Sequence, residues 1–332
     1  MTPLIVAFAA SILFTPLAIP LAMKLQMVDR PNRGLKTHRK PIPYLGGVAV
    51  FISLCLPLLI LHGELLMVRE HASLMLGAAI VLLGGVIDDR YELRPLGKLL
   101  FQCAAVVPIW TSGMRAGLLD SALWDGLLSC LWMIAIINAF NLIDIMDGLS
   151  ATVAAIAALF LSILFDVQGD AWFGAIMLSL LGACGGFLLY NFHPARIFLG
   201  DAGSQLIGYL LAAAALNWAS HEPISLGGHH IFVPALIFAI PLGETLFISI
   251  LRLKAKRSPF QGSKDHFAQR MVKQGFSIPM TVALTALFAA TLDVLAMIAL
   301  YYTAAAPYCI GLALLLLMTT AYKLGRIDMK TE

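Results

Sequence analysis

The chain has 332 residues, 60% hydrophobic and 12% charged; 22 Lys and Arg against 19 Asp and Glu leave a net charge of +3, and mean hydropathy is +0.88. An ordinary soluble domain is about a quarter charged and under half apolar, so this composition excludes a soluble enzyme, a disordered chain and a conventional nucleic-acid binder. An all-α polytopic membrane protein is the class that remains.

A bilayer span needs about 20 apolar residues. Apolar runs predict eleven transmembrane helices, at 3–23, 44–62, 72–87, 99–112, 122–140, 148–165, 171–190, 204–219, 231–251, 278–302 and 307–322. The fourth is short and contains Pro108, and the last two divide at Ala306-Pro307. No repeat, linker or low-complexity tract interrupts them, which predicts a single integral-membrane domain over residues 1–332. The first run has no positive charge ahead of it and no small-residue cleavage site behind it, so it reads as a span and not a signal peptide.

Cytoplasmic loops collect Lys and Arg. With the N-terminus outside, 20 of the 22 basic residues fall on one face, and only Arg69 and Arg115 on the other. The C-terminus and the polar motifs then lie on the cytoplasmic side. Cys55, Cys103, Cys130, Cys184 and Cys309 stand singly in apolar runs and read as small buried hydrophobes. His229-His230 reads as part of a solvated outer loop.

The inner face carries the chemistry. Asp88-Asp89 ends the third run, and adjacent carboxylates repel unless a cation stands between them. Asn138, Asn141, Asp144 and Asp147 recur every third residue, a spacing that would spiral them over half the circumference of a helix as it reaches the membrane surface. Polar groups at that depth are expensive without a purpose. In Asn191-Phe-His193-Pro-Ala-Arg196-Ile-Phe-Leu-Gly200-Asp201-Ala-Gly203-Ser204, glycines flank a carboxylate just before a helix. Backbone N–H groups there are free to face an anion, with Arg196 beside them and Asp201 able to hold a divalent cation. A basic loop with Lys36, His38 and Lys40, and a second with His266 and Arg270 at i,i+4 spacing, complete the face. Aspartates and basic loops converging on one surface are the composition that binds magnesium and polyphosphate.

In these motifs the chain resembles the polyprenyl-phosphate N-acetylhexosamine-1-phosphate transferases (glycosyltransferase family 4), the membrane enzymes that include the WecA/TagO type and the related MraY translocase. The first basic loop is similar to the family's Arg/Lys-x-His…Pro-x-Pro-x-x-Gly-Gly element. Asp88-Asp89 is similar to its Asp-Asp motif, with Leu93, Pro95, Lys98 and Gln102 following. Asn138 to Gly148 resembles Asn-x-x-Asn-x-x-Asp…Asp-Gly, and Gly200 to Ser204 matches Gly-Asp-x-Gly-Ser. Ile145 replaces the usual Gly, Glu244 a usual Asp, and the last loop lacks the three-histidine cluster of MraY-like enzymes, which argues against a muramoyl-pentapeptide donor.

The resemblance implies transfer of N-acetylhexosamine-1-phosphate, GlcNAc-1-phosphate foremost, from a UDP-sugar to undecaprenyl phosphate. The products are lipid-pyrophosphoryl-sugar and UMP, in the first membrane step of cell-envelope polysaccharide synthesis. Magnesium is the implied cofactor, with manganese as its substitute, and the implied location is the bacterial inner membrane, with a homodimer as a compatible assembly. Asp201, Asp88 and Asp89 are the expected catalytic and metal-binding residues. Lys36, His38, Lys40, Asn141, Asp144, Asp147 and Arg196 are expected to position nucleotide and phosphates, and His266 and Arg270 to contact the sugar-phosphate. The competing class is a polytopic lipid flippase or transporter. Such sites usually lie near the bilayer midplane in repeated halves, whereas these acidic clusters lie at one mouth.

Overall fold

A computed structural model describes residues 1–29, 41–221, 232–258, 265–327 and 329. The chain forms two compact units, Met1–Glu222 and Pro223–Glu332.

The first unit contains α1 (Thr2–Lys24), two short strands β1 (Val28–Asp29) and β2 (Ile42–Pro43), α2 (Gly46–His62), α3 (Arg69–Tyr91), α4 (Pro95–Ser112), α5 (Ala122–Ile143), α6 (Leu149–Gln168), α7 (Ala171–Asn191) and α8 (Gly200–His221). The strands pair antiparallel, Val28 with Pro43 and Asp29 with Ile42, a detail an all-helical reading misses. The second unit contains α9 (Phe232–Ile237), α10 (Ala239–Lys254), α11 (Phe267–Lys273), α12 (Ile278–Tyr301) and α13 (Ala306–Gly325).

Eight of these helices are long and apolar enough to cross a bilayer: α1, α2 continued by a 3-10 turn to Met67, α3, α5, α6, α7, α12 and α13. The protein is an all-α polytopic membrane protein. The run at 231–251 is not one helix, because it breaks at Phe238. Pro241 has no N–H, so the Ile237 carbonyl lacks its usual donor and the helix restarts at Ala239.

Lipid tails are as apolar as leucine, so helices associate in a membrane chiefly by close packing of small residues. That is how the first unit is built. A Cβ on Gly182 would collide with the backbone of Leu4, one on Gly186 would come within 2.6 Å of the Phe8 carbonyl, and one on Gly208 within 2.8 Å of the Ile137 Cα. Around these crossings Phe140, Phe165, Phe187, Tyr209 and Trp218 are fully buried, while Leu131, Leu189 and Leu83 face outward.

Two further glycine crossings set the site. Gly47 at the start of α2 packs on the Gly203 backbone, and Gly85 in α3 packs on Ala202. Gly46 N–H donates to the Phe198 carbonyl at 3.1 Å and Gly47 N–H to the Leu199 carbonyl at 2.9 Å. The segment leading into α8 is therefore clamped between α2 and α3.

Candidate active site at one end of the first unit

The helices run alternately up and down, so the ends of α3, α5 and α7 and the starts of α4, α6 and α8 meet at one mouth. α3 carries Asp88 and Asp89 in its last turn before ending at Glu92, whose N–H donates to the Asp88 carbonyl at 2.8 Å. Asp201 lies in the first turn of α8. The Asp89 carboxylate accepts from the Asp201 N–H at 2.8 Å and the Ala202 N–H at 3.2 Å. The first N–H groups of a helix have no partner within it and attract an anion. Here that anion is supplied by the protein itself. Gly200, at φ +74°, allows the approach; a Cβ there would stand 2.5 Å from Asp89 Oδ2.

Asp88 and Asp201 share one cation. Lys98, in the first turns of α4, donates to Asp201 Oδ2 at 2.7 Å and pairs with Asp88 Oδ2. The other oxygen of each carboxylate is occupied by an amide. Leu93 N–H donates to Asp88 Oδ1 at 2.7 Å, and Asn141 Nδ2 donates to Asp201 Oδ1 at 2.6 Å. Asn141 also donates to Ser204 Oγ, at 3.0 Å. Below it, Asn138 and Gln102 exchange amide hydrogen bonds at 2.8 and 3.3 Å, and Gln102 reaches Gln205 at 3.1 Å. This amide ladder ties α4, α5 and α8 together beneath the carboxylates.

The spiral expected of Asn138, Asn141, Asp144 and Asp147 stops after Asn141. α5 ends at Ile143, and Asp144 is its C-cap, at φ −80° and ψ 55°. Burial first, then the charges of Asp201, Asp89 and Asp147, hold the Asp144 carboxyl well above the usual carboxylate range. Asp147 lies in the following loop, where it accepts from Ala195 N–H at 3.1 Å and pairs with His193 Nδ1 at 2.7 Å. Buried Asn191 accepts from Gly148 N–H at 3.0 Å and donates to the Ile197 carbonyl at 2.9 Å. Three contacts, Asp147 with His193 and Ala195 and Gly148 with Asn191, thus lock the α5–α6 loop to the end of α7 and the loop that follows. The Arg196 side chain is exposed on the latter.

Tyr44 closes the side near β2. Its hydroxyl is pushed well above the usual tyrosine range by burial first, then by the charge of Asp29 and a hydrogen bond to it, with Asp89 and Asp201 adding further charge.

The structure therefore brings together Asp88, Asp89, Asn141, Asp144 and Asp201 and adds Lys98 as their common partner. Asp147 and Arg196 stand on the adjoining loops. Lys36, His38 and Lys40 lie outside the described residues.

His266 and Arg270 belong to the second unit, and they do not share a helical face: His266 precedes α11 in an extended conformation, φ −61° and ψ 145°. Both are buried, at 5% and 4% exposure. His266 Nδ1 lies 2.9 Å from Glu244 Oε1. Arg270 donates to the carbonyls of Asp265 at 2.8 Å, Leu324 at 3.0 Å and Ile327 at 2.6 Å, and its guanidinium lies over the Phe247 ring. These side chains hold α10, α11 and the end of α13 together.

Lys98 was not among the residues picked out for the site. Lys98 stands in the family pattern that follows Asp88-Asp89, but spacing gives it no partner; only the helix ends, folded together, make it the partner of Asp88 and Asp201.

The model of glycosyl transferase family 4 matches residues 71–219, which hold the carboxylates, Lys98 and the amide ladder. A probable undecaprenyl-phosphate N-acetylglucosaminyl 1-phosphate transferase of Bacillus subtilis is 30% identical over 295 residues, covering 85% of this chain and 81% of the relative. A decaprenyl-phosphate N-acetylglucosaminephosphotransferase of Mycolicibacterium smegmatis is 32% identical, covering 77% and 71%. An undecaprenyl-phosphate alpha-N-acetylglucosaminyl 1-phosphate transferase of Yersinia pestis is 28% identical, covering 97% and 90%. With the clustered motifs lying inside the matched segment and near-full-length relatives on both sides of the 30% mark, the chain belongs to glycosyl transferase family 4.

Proposed function

We propose that this protein transfers N-acetylglucosamine-1-phosphate from UDP-GlcNAc to undecaprenyl phosphate, releasing UMP and forming the lipid-pyrophosphoryl-sugar. The observation that carries the reading is the pair Asp88 and Asp201, brought from two helices to one cation position at the bundle mouth. A lipid flippase or transporter needs no such cluster there, and the relatives do not favour it.

In the reaction, an oxygen of the lipid phosphate attacks the sugar-bearing phosphorus of the UDP-sugar. The P–O bond to the nucleotide's other phosphate breaks, and that oxygen leaves with UMP. Both reactants are anionic, so most of the catalysis is charge neutralisation and in-line positioning. Lys98 and Arg196 supply positive charge at the mouth. Asn141 holds Asp201 in one rotamer, and Asp89 fixes the backbone that carries it. A lipid phosphate still singly ionised gives its remaining proton to water, its second pKa lying near neutrality, and Asp144 caps the end of α5 beside the site. Asp147 keeps the α7–α8 turn in register with it.

The residues fit magnesium. Among the described residues no three His, Cys, Asp or Glu side chains form a complete cage, but magnesium usually takes one or two carboxylates and fills its octahedron with water and substrate phosphates. Asp88 Oδ2 is buried without a hydrogen bond of regular geometry, which is the atom such an ion would satisfy. Asp88 and Asp201 would hold it, whereas Asp89 has both oxygens on the α8 backbone. When bound, the ion draws charge from the diphosphate and eases departure of the nucleotide.

We place the mouth on the cytoplasmic face of a bacterial inner membrane, where the basic residues collect and soluble UDP-sugars are found. A panel of UDP-sugars, tested with undecaprenyl phosphate and magnesium in detergent, checks the donor. UDP-GlcNAc is expected to give labelled organic-extractable product well above UDP-glucose. Product from no UDP-N-acetylhexosamine would contradict the reading.

A further inference from the structure

The carboxylates of Asp88 and Asp201 present themselves in matched fashion. Each has one oxygen fixed by a neutral amide donor, from Leu93 and Asn141 respectively. The second oxygen of each, Oδ2 in both, is left for a cation, and both reach the same ammonium. Two oxygens from α3 and α8 thus define a single cation position, and Lys98 fills it.

The occupant is poorly anchored compared with its anchors. Asp88 is 3% exposed, and the Asp201 backbone is clamped by Asp89 and the Gly85 crossing. The Lys98 side chain is 32% exposed on a four-carbon stem. Its ammonium is a point charge that can swing without moving the helix. A single positive charge shared by two carboxylates leaves the position under-neutralised, and a divalent ion would satisfy both.

We propose that Lys98 is an exchangeable placeholder for the divalent cation. It neutralises Asp88 and Asp201 in the metal-free protein, keeps their helices from repelling, and is released toward the mouth when the ion takes its place. This rests on the proposed metal-dependent transfer but concerns occupancy of the site, so it is tested without substrate. A free Lys98 would then stand beside the incoming phosphates with its charge unspent.

Two measurements on the full chain in detergent test this. Manganese binding, followed by electron paramagnetic resonance in the absence of nucleotide and lipid, is expected to tighten about threefold to tenfold in Lys98→Met, because the ion no longer competes with an internal ammonium. Metal-free Lys98→Met is also expected to melt below wild type and to gain more from manganese. In wild type, acylation of Lys98 by acetic anhydride, read by mass spectrometry, is expected to rise when magnesium is added. The second measurement needs no variant, so misfolding of Lys98→Met cannot shield the proposal. Unchanged or weaker manganese binding in a folded Lys98→Met, or Lys98 labelling that magnesium leaves unchanged or lowers, overturns it. Failure of lipid-dependent UMP release with intact metal exchange would instead remove the transferase reading alone.

Discussion

The Asp89 carboxylate, at the end of α3, caps the first turn of α8 through the Asp201 N–H at 2.8 Å. The adjacent residue, Asp88, turns instead toward Lys98. Neighbouring carboxylates therefore have different tasks: one holds the helix that carries Asp201, and the other joins Asp201 at the cation position.

Asp89→Ala should behave as loss of a helix cap. It removes two accepted backbone hydrogen bonds, a cost of about 1–2 kcal/mol. The thermal midpoint in detergent should fall, and kcat should drop more than either KM rises, because Asp201 is no longer held. Gly200→Ala should do the same by displacing the Asp89 carboxylate and straining a positive φ. Normal stability and turnover in both variants would refute the cap.

Asp201→Asn should keep the fold and lose the chemistry. One of Asn141 and Lys98 can still donate to the amide oxygen, so the protein should still fold with at most a modest fall in thermal midpoint, while UMP release falls by about two orders of magnitude or more. Near-normal turnover in this variant would remove Asp201 from the site.

Asp144 makes a prediction about pH. Its carboxyl titrates above the ordinary range in the folded chain. Between the ordinary value and the raised one, the folded chain holds a proton that the unfolded chain has released. Its contribution to stability is therefore fully present below the ordinary carboxylate range and is lost as pH rises through the raised value. Asp144→Asn removes that loss. In the presence of chelator its thermal midpoint should match wild type near the ordinary carboxylate value and exceed it by a margin that grows with pH toward neutrality. Parallel curves for the two proteins would show that Asp144 is not so placed.

Arg270→Ala should act on stability first. The Leu324 and Ile327 carbonyls lose their donor, which costs about 1–3 kcal/mol where they are buried. The thermal midpoint should fall, with the relative use of UDP-sugars unchanged in the protein that remains folded. A changed donor preference at an unchanged midpoint would put Arg270 back on the substrate.

How far the sequence alone could be read depended on the kind of relation involved. Asp88, Asn141 and Asp201 stand in short motifs, and polar residues at a membrane surface are conspicuous in a chain this apolar. Local spacing could not say that Asp89 would turn to the α8 backbone, because its partner lies 112 residues away. The Gln102, Asn138 and Gln205 ladder was hidden for the same reason, with one amide on each of three helices. His266 and Arg270 were read through an i,i+4 rule that needs a continuous helix, and α11 begins one residue after His266. Each apolar run outside 231–251 lies on a helix, but among the described residues eight helices, and not the expected eleven, are long and apolar enough to cross a membrane. The run at 231–251 breaks at Phe238, where the prolines around it mattered more than hydropathy.

The central claim is tested most directly by UMP release from UDP-GlcNAc by the purified protein in detergent, with and without undecaprenyl phosphate and magnesium. The account predicts UMP in molar step with lipid-linked sugar, only when both are present, and none from Asp201→Asn. UMP formed equally without the lipid, or no UMP from folded wild-type protein with all three components, would contradict it.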